Sequence, residues 1–86
     1  MATVKTTLTS SWQLIVPAGK EFFLENPTEF NALVAFADST PVTDVGHTIG
    51  FGFGLTRMGA SGAVYAKIHP VNLTGATPYL VTSAEA

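Results

Sequence analysis

Two histidines and two aspartates are the residues of this chain that could serve acid-base chemistry or hold a metal ion. His47 and His69 could in principle pair with Asp38 or Asp44. Neither histidine lies in a ligand spacing such as His-x-x-x-His. A calcium loop needs several clustered oxygen ligands, and segment 38–44 offers only its two aspartates. We therefore expect no catalytic residue, no metal and no cofactor, and interpret His47 as a strand start and His69 as a strand end.

Two further site motifs are only partly present. Residues 59–62, GASG, are one residue short of the Gly-x-Ser-x-Gly elbow and lack its strand-to-helix context. Gly50, Gly52 and Gly54 are evenly spaced, whereas the dinucleotide fingerprint is Gly-x-Gly-x-x-Gly at the start of a helix. We interpret residues 59–62 as a hairpin turn. The sequence predicts a protein that is not an enzyme.

The stretch TIGFGFGLT, residues 48–56, contains the centre of a base-stacking strand. RNA-recognition strands read Lys/Arg-Gly-Phe/Tyr-Gly/Ala-Phe-Val-x-Phe/Tyr, and the cold-shock version resembles residues 50–53 equally well. Here Ile49 stands where the cation belongs, Gly54 replaces the valine and Thr56 replaces the last aromatic residue. With four Lys/Arg, six Asp/Glu and no basic cluster, the chain lacks the charge that attracts phosphates. A single-stranded nucleic-acid-binding barrel therefore remains an alternative function.

The same stretch can also be interpreted as a strand with two different faces. Because side chains alternate along a strand, the three glycines would share one face, and the other would carry Ile49, Phe51, Phe53 and Leu55. Strand glycine costs stability unless a close backbone approach or a bend compensates. We therefore expect the bulky face to enter a core or a subunit contact, and the bare face to let a neighbouring backbone come close.

The elements that position these residues are predicted to be strands throughout. Apolar residues recur with a two-residue period, and turn residues separate the periodic segments. About seven short strands indicate an all-β, single-domain antiparallel β-sandwich of jelly-roll-like type. The predicted strands are Thr3–Thr9, Trp12–Val16, Glu21–Glu25, Ala32–Ala37, His47–Thr56, Ala63–Ile68 and Tyr79–Thr82.

Length and composition favour self-association. The 86 residues form one expected domain, 1–86, in which residues 1–10 could act as an N-terminal arm or an exchanged strand. Cysteine is absent, and charged residues make up only 12% of the chain. Segment 32–37 is apolar on both faces, and another subunit is its expected cover. We expect Trp12, Phe51, Phe53 and Tyr65 to form the oligomer interface, since aromatic residues dominate buried contacts.

The pattern as a whole resembles the small β-rich structural proteins of bacteriophage virions, such as capsid decoration (cement) proteins and small fibre or knob domains. The resemblance rests on SSWQLIVPAG, LVAFADSTPVTDVGHTI, GAVYAKI and YLVTSAEA. It implies a non-enzymatic homo-oligomer, with a trimer favoured, that binds a major capsid protein or another virion protein. It also implies a protein that is present in the host cytoplasm during assembly and then in the virion.

Two partner classes are not expected, and one further alternative remains. No basic cluster suits nucleic acid, and no apolar run approaches the roughly 20 residues that span a bilayer. The start of the chain lacks the features of a signal peptide. A carbohydrate-binding β-sandwich at a receptor-binding tip is the remaining alternative, since Trp12, Tyr65 and Tyr79 could stack on sugars.

Overall fold

The structure is a computed structural model that describes residues 2–57, 62–72 and 75–84. Within these ranges all regular elements are strands, and eight of them are present. No helix able to span a membrane occurs among the described residues. The strands are β1 (Ala2–Thr7), β2 (Gln13–Val16), β3 (Phe22–Glu25), β4 (Ala32–Ala37), β5 (His47–Ile49), β6 (Gly54–Arg57), β7 (Ala63–Ile68) and β8 (Tyr79–Ala84).

The strands form two antiparallel sheets that pack as a sandwich. One sheet has the order β1-β8-β3-β6 and the other has the order β2-β7-β4-β5. The first four strands therefore pair with the last four in reverse order: β1 with β8, β2 with β7, β3 with β6, and β4 with β5. One long hairpin folded over itself in this way is a jelly roll. The predicted all-β antiparallel sandwich is thus confirmed.

The predicted strand His47–Thr56 is wrong as a single element. It is two strands in different sheets, β5 beside β4 and β6 beside β3, and residues 50–53 form the turn between them. Gly52 has φ of +79°, a conformation that breaks the extended backbone. The alternation of glycine and phenylalanine is the same in a strand and in this turn, so the sequence pattern could not distinguish them.

The core lies between the two sheets. Val16, Leu24, Val34, Val64 and Leu80 are fully buried there, and each comes from a different strand. A β-bulge explains why β2 shows no clean alternation: Leu14 pairs with Tyr65 and Val16 pairs with Val64, so the intervening residue is extra. Ile15, the extra residue, packs against the core from this position.

Residues 32–35 of β4 are buried on both faces of the strand within the single chain. Ala32 and Val34 face the core, and Leu33 and Ala35, which alternate with them, are also buried. The loop 38–46 returns across this outer face, where a Cβ on Gly46 would lie only 3.3 Å from Leu33 Cγ. The chain itself therefore covers residues 32–35, where another subunit was expected, and a subunit cover over the 41% exposed Phe36 stays a prediction.

Strand β1 pairs with the chain's own last strand. All six of its residues are in register with β8, from Ala2 opposite Ala84 to Thr7 opposite Tyr79. The Thr3 and Ser83 hydroxyls are joined by a hydrogen bond of 2.8 Å across this pair. Within one chain the N-terminal segment is thus a sheet-edge strand, and its exchange between two copies stays a prediction.

Candidate functional site

Residues 50–53, here named the aromatic turn, hold two phenyl rings in solvent. The Phe53 N–H donates to the Gly50 carbonyl over 3.1 Å, which closes a four-residue β-turn. Gly52 takes the third position with its positive φ, as a type II turn requires. Phe51 and Phe53 remain 68% and 67% exposed. The rings therefore do not lie in the core of the chain, and their predicted role in a subunit contact stays a prediction.

Buried Asn26 holds the aromatic turn from behind. Its backbone N–H donates to the Phe53 carbonyl over 3.0 Å, and its carbonyl accepts from Gly52 N–H over 2.9 Å. Its side-chain Nδ2 donates to the Ile49 carbonyl over 2.8 Å. Asn26 is fully buried, so water does not compete for these bonds. The turn is consequently fixed by bonds within the single chain.

The same asparagine also orders the loop between β3 and β4. Nδ2 donates a second hydrogen bond to the Phe30 carbonyl over 2.7 Å. Oδ1 accepts from both the backbone N–H and the hydroxyl of Thr28, as in an Asx turn. Both donors of the amide and its acceptor are therefore satisfied. The Asn-Pro-Thr sequence predicts this local turn, but it contains no signal for the partners at residues 49–53.

A third loop joins the same end of the sandwich. The Asn31 N–H donates to Asn72 Oδ1 over 3.0 Å, and Asn72 Nδ2 donates back to the Asn31 carbonyl over 2.6 Å. Val71, next to Asn72, is also largely exposed. Loops 26–31, 50–53 and 69–72 are thus tied together, and the apolar surface they present includes Phe51, Phe53 and Val71.

At Gly54 the structure confirms the predicted close approach of a neighbouring backbone. A Cβ at this position would lie 2.7 Å from the Leu24 carbonyl oxygen, so the backbone of β3 does approach closely. The same Cβ would lie 3.4 Å from the ring of Phe23, which is partly exposed. The apolar surface therefore continues from the turn onto the sheet. The Leu55 side chain lies outside the described residues.

The charge next to the aromatic turn is negative. Glu25 is exposed and is directly opposite Gly54 in the β3–β6 register. A carboxylate at this place repels phosphate groups, whereas a base-stacking platform normally lies in a positively charged groove. Glu25 therefore places a negative charge beside the two rings, where a base-stacking platform would have a positive one.

The second surface feature lies beside the loop 38–46. Two hollows of about 350 Å³ each adjoin the ion pair between Lys67 Nζ and Asp44 Oδ1, and both are lined by Ser10, Asp44 and Lys67. Trp12 lines one hollow and His69 lines the other. We refer to these five residues and the two hollows as the Trp12 groove.

The orientation of Trp12 is fixed by the loop. Its Nε1 donates to the Thr43 carbonyl over 3.0 Å, and Lys67 Nζ lies 5.6 Å from the centre of its ring. The Lys67 side chain is only 12% exposed, whereas that of Asp44 is 57% exposed. The groove thus combines an indole with a mostly buried cation and an accessible carboxylate.

The four predicted interface residues fall into two pairs. Phe51 and Phe53 lie on the aromatic turn between the sheets, whereas Tyr65 lies on the outer face of β7, in register with Leu14 and Ala35. Tyr65 is buried within the chain and Trp12 is half-buried. Of the four, only the two phenylalanines present most of their side chain to solvent.

The predicted acid-base and metal candidates have other partners. His69 Nδ1 accepts the Val71 N–H over 3.0 Å, and the ring of His47 lies 6.0 Å from that of Phe36. Asp44 pairs with Lys67, and Asp38 lies exposed after β4. In ranges 2–57, 62–72 and 75–84 no group of three metal-ligating side chains occurs. The predicted hairpin turn 59–62 lies outside the described residues except for Gly62.

No protein-family model matches the chain, and comparison with curated proteins and with solved structures finds no match either. The fold and the two surface features are therefore the basis for inferring a function.

Proposed function

We propose that the protein is a non-enzymatic structural protein that self-associates through the aromatic turn, in the form of an oligomeric virion component such as a capsid decoration protein. The observation that carries the proposal is the exposure of Phe51 and Phe53 on a turn held by buried Asn26. A rigid turn loses little conformational entropy when it docks, so more of the burial energy is available for association.

The two rings offer a large share of the contact energy. A phenylalanine buries roughly 150–250 Å², and about two thirds of each ring is still open. At about 25 cal/mol per Å², covering this surface contributes about 3 kcal/mol per ring, before the entropic cost of association is subtracted. A stable interface needs about 800 Å² per partner, so Val71 and Phe23 would have to contribute too.

Fold and composition support the proposal by analogy. Jelly rolls recur in viral capsid domains and in lectins, although a fold alone does not determine a function. Charged residues make up only 12% of the chain, which leaves little charge to keep monomers apart. A trimer is the oligomer that we propose, in keeping with the virion proteins that the sequence resembles.

The oligomeric state tests the proposal directly. Light scattering coupled to size exclusion, over micromolar to millimolar concentrations, is expected to give a multiple of the 9.0 kDa chain mass. The double variant Phe51→Ser/Phe53→Ser should return to the single-chain mass. Val42→Ser is the matched control, because Val42 is 96% exposed on the loop 38–46 and should leave the mass unchanged. A wild-type protein that stays at one chain mass would contradict the proposal.

Particle composition tests the virion assignment separately. Mass spectrometry of gradient-purified particles from a culture that expresses the chain should recover it at a fixed ratio to a major capsid protein. Recovery only outside the particles would overturn this assignment, even if the protein self-associates.

Nucleic-acid binding is the alternative that shares the exposed rings. A base-stacking platform also needs rings in solvent, but Glu25 lies beside them and the net charge is −2. We expect no retention of single-stranded DNA or RNA in a low-salt filter-binding titration. Salt-dependent retention that Phe51→Ser/Phe53→Ser abolishes would favour the stacking function instead.

A further inference from the structure

The Trp12 groove shares the loop 69–72 with the surface of the aromatic turn, but neither Phe51 nor Phe53 lines either of its two hollows. Of the three aromatic residues that could stack on sugars, Tyr65 is buried and Tyr79 lines neither of the two hollows described above. Trp12 alone among these three borders one of the two hollows described above. We infer that the Trp12 groove binds a neutral saccharide.

The indole ring of Trp12 can offer an apolar surface to a ligand. Because Nε1 already donates to the Thr43 carbonyl, Trp12 needs no hydrogen bond from a ligand. Its contribution to the hollow is therefore carbon surface, held in one orientation by the loop. Ligand pockets typically combine such aromatic surface with a few polar groups that fix orientation, and the C–H face of a pyranose ring is the complementary surface.

Donors and acceptors surround this surface. Asp44 engages Lys67 through Oδ1 and keeps more than half of its side chain exposed, so it can accept bonds from sugar hydroxyls. The Lys67 ammonium has three protons, and one of them serves the hydrogen bond to Asp44. His69 accepts a backbone N–H at Nδ1, which leaves Nε2 as the donor of the neutral ring. The Ser10 hydroxyl can both donate and accept a hydrogen bond.

The charge and the volume of the Trp12 groove limit the kind of ligand that it can bind. The positive charge of Lys67 and the negative charge of Asp44 offset one another, so neither a strongly anionic nor a strongly cationic ligand is favoured. The two hollows of about 350 Å³ meet at this ion pair. Each lies within the range of about 300–1,000 Å³ that small-ligand sites occupy. A disaccharide with one ring on each side of the ion pair fits this arrangement.

The single tryptophan of the chain provides the assay. Trp12 is the chain's one tryptophan, so a change in its emission reports on the groove itself. The probes are maltose, cellobiose, lactose and chitobiose, titrated to millimolar concentration, and a glycan array of neutral oligosaccharides. The expected result is a saturable change in emission with at least one disaccharide, matched by a signal for the same linkage on the array.

Three variants test whether the saccharide binds in the Trp12 groove. Asp44→Asn should weaken the affinity at least tenfold, because it removes the acceptor charge and the ion pair. Trp12→Phe, measured by calorimetry, should weaken it too while keeping an aromatic ring at this position. Phe51→Ser/Phe53→Ser should leave it unchanged, so a failure of the self-association proposal does not affect this test. Thermal unfolding verifies that each variant is folded.

Two results would overturn the inference. One is the absence of any saturable response to the four disaccharides together with an array without signal. The other is a measured affinity that neither Asp44→Asn nor Trp12→Phe changes while both variants remain folded, since binding would then occur elsewhere on the protein.

Discussion

Strand β4 and the aromatic turn are both rich in apolar residues, yet residues 32–35 of β4 are covered and the two rings of the turn are not. On β4 the outward-facing Leu33 is 3% exposed, because the loop 38–46 returns across it. On the turn, Phe51 and Phe53 are about two thirds exposed, and Asn26 holds them there. An apolar segment therefore stays open to solvent only where the chain has nothing of its own to fold over it.

The two regions also differ in what fixes their shape. Strand β4 is held by ladders to β5 and β7 on both of its edges and by apolar packing on both of its faces. The turn is held mainly by polar bonds from one buried asparagine and by the positive φ of Gly52. Substitutions that remove packing should therefore act on β4, and substitutions that remove hydrogen bonds or strain the backbone should act on the turn.

The largest effect is expected for Asn26→Ala. It removes four side-chain hydrogen bonds, one of them to the buried Ile49 carbonyl, which should lower the free energy of unfolding by about 3–5 kcal/mol. Urea unfolding measures this loss. Thr28→Val is the matched control, since it removes one of the four bonds and a longer contact to the Phe30 carbonyl, and it should cost about 1 kcal/mol. Equal losses for the two variants would show that Asn26 does not organise the turn.

The second-largest loss of stability is expected at Leu33, where the loop 38–46 covers β4. Leu33→Ala should cost about 2–4 kcal/mol, because it opens a cavity beneath the loop 38–46. Leu14→Ala is its counterpart on the outer face of the same sheet, where Leu14 is 55% exposed, and should cost less than about 1 kcal/mol. Chemical denaturation of both compares the two positions. A Leu33 variant as stable as the Leu14 variant would mean that the loop does not cover β4.

Gly52→Ala tests the backbone of the turn. No atom lies near the added Cβ, so the cost comes from the positive φ and should be about 1–2 kcal/mol. Gly19→Ala is the control, because Gly19 has φ of +84° and the same open surroundings. Both should lose similar stability, but only Gly52→Ala should also weaken self-association, as sedimentation equilibrium can measure. Equal association constants for the two variants would show that the geometry of the turn does not contribute to the interface.

The smallest effect should have the opposite sign. The Thr82 hydroxyl is buried on β8, and the structure gives it no hydrogen-bond partner. Thr82→Val keeps the shape and removes the unsatisfied group, so it should raise the free energy of unfolding by about 1 kcal/mol. Differential scanning calorimetry would detect the higher melting temperature. A lower melting temperature would indicate that the hydroxyl has a partner after all.

Local patterns predicted the elements that local forces determine. The strands 32–37 and 63–68 were predicted with their observed bounds, since β-branched and aromatic runs flanked by turn residues specify an extended backbone. The prediction failed at residues 47–56, where glycine and phenylalanine alternate in the same way through a strand, a turn and another strand. Periodicity records spacing along the chain and contains no information about a single positive φ.

By itself, the sequence determined the all-β class, most of the strands, the absence of cysteine and the low charge. Only the tertiary structure decided which apolar residues are covered. Asn26 reaches Ile49 across 23 residues of sequence, and the loop 38–46 returns over β4. Trp12 meets Thr43 across 31 residues. Contacts of such separation form because the jelly roll brings distant segments together, and no local propensity encodes them.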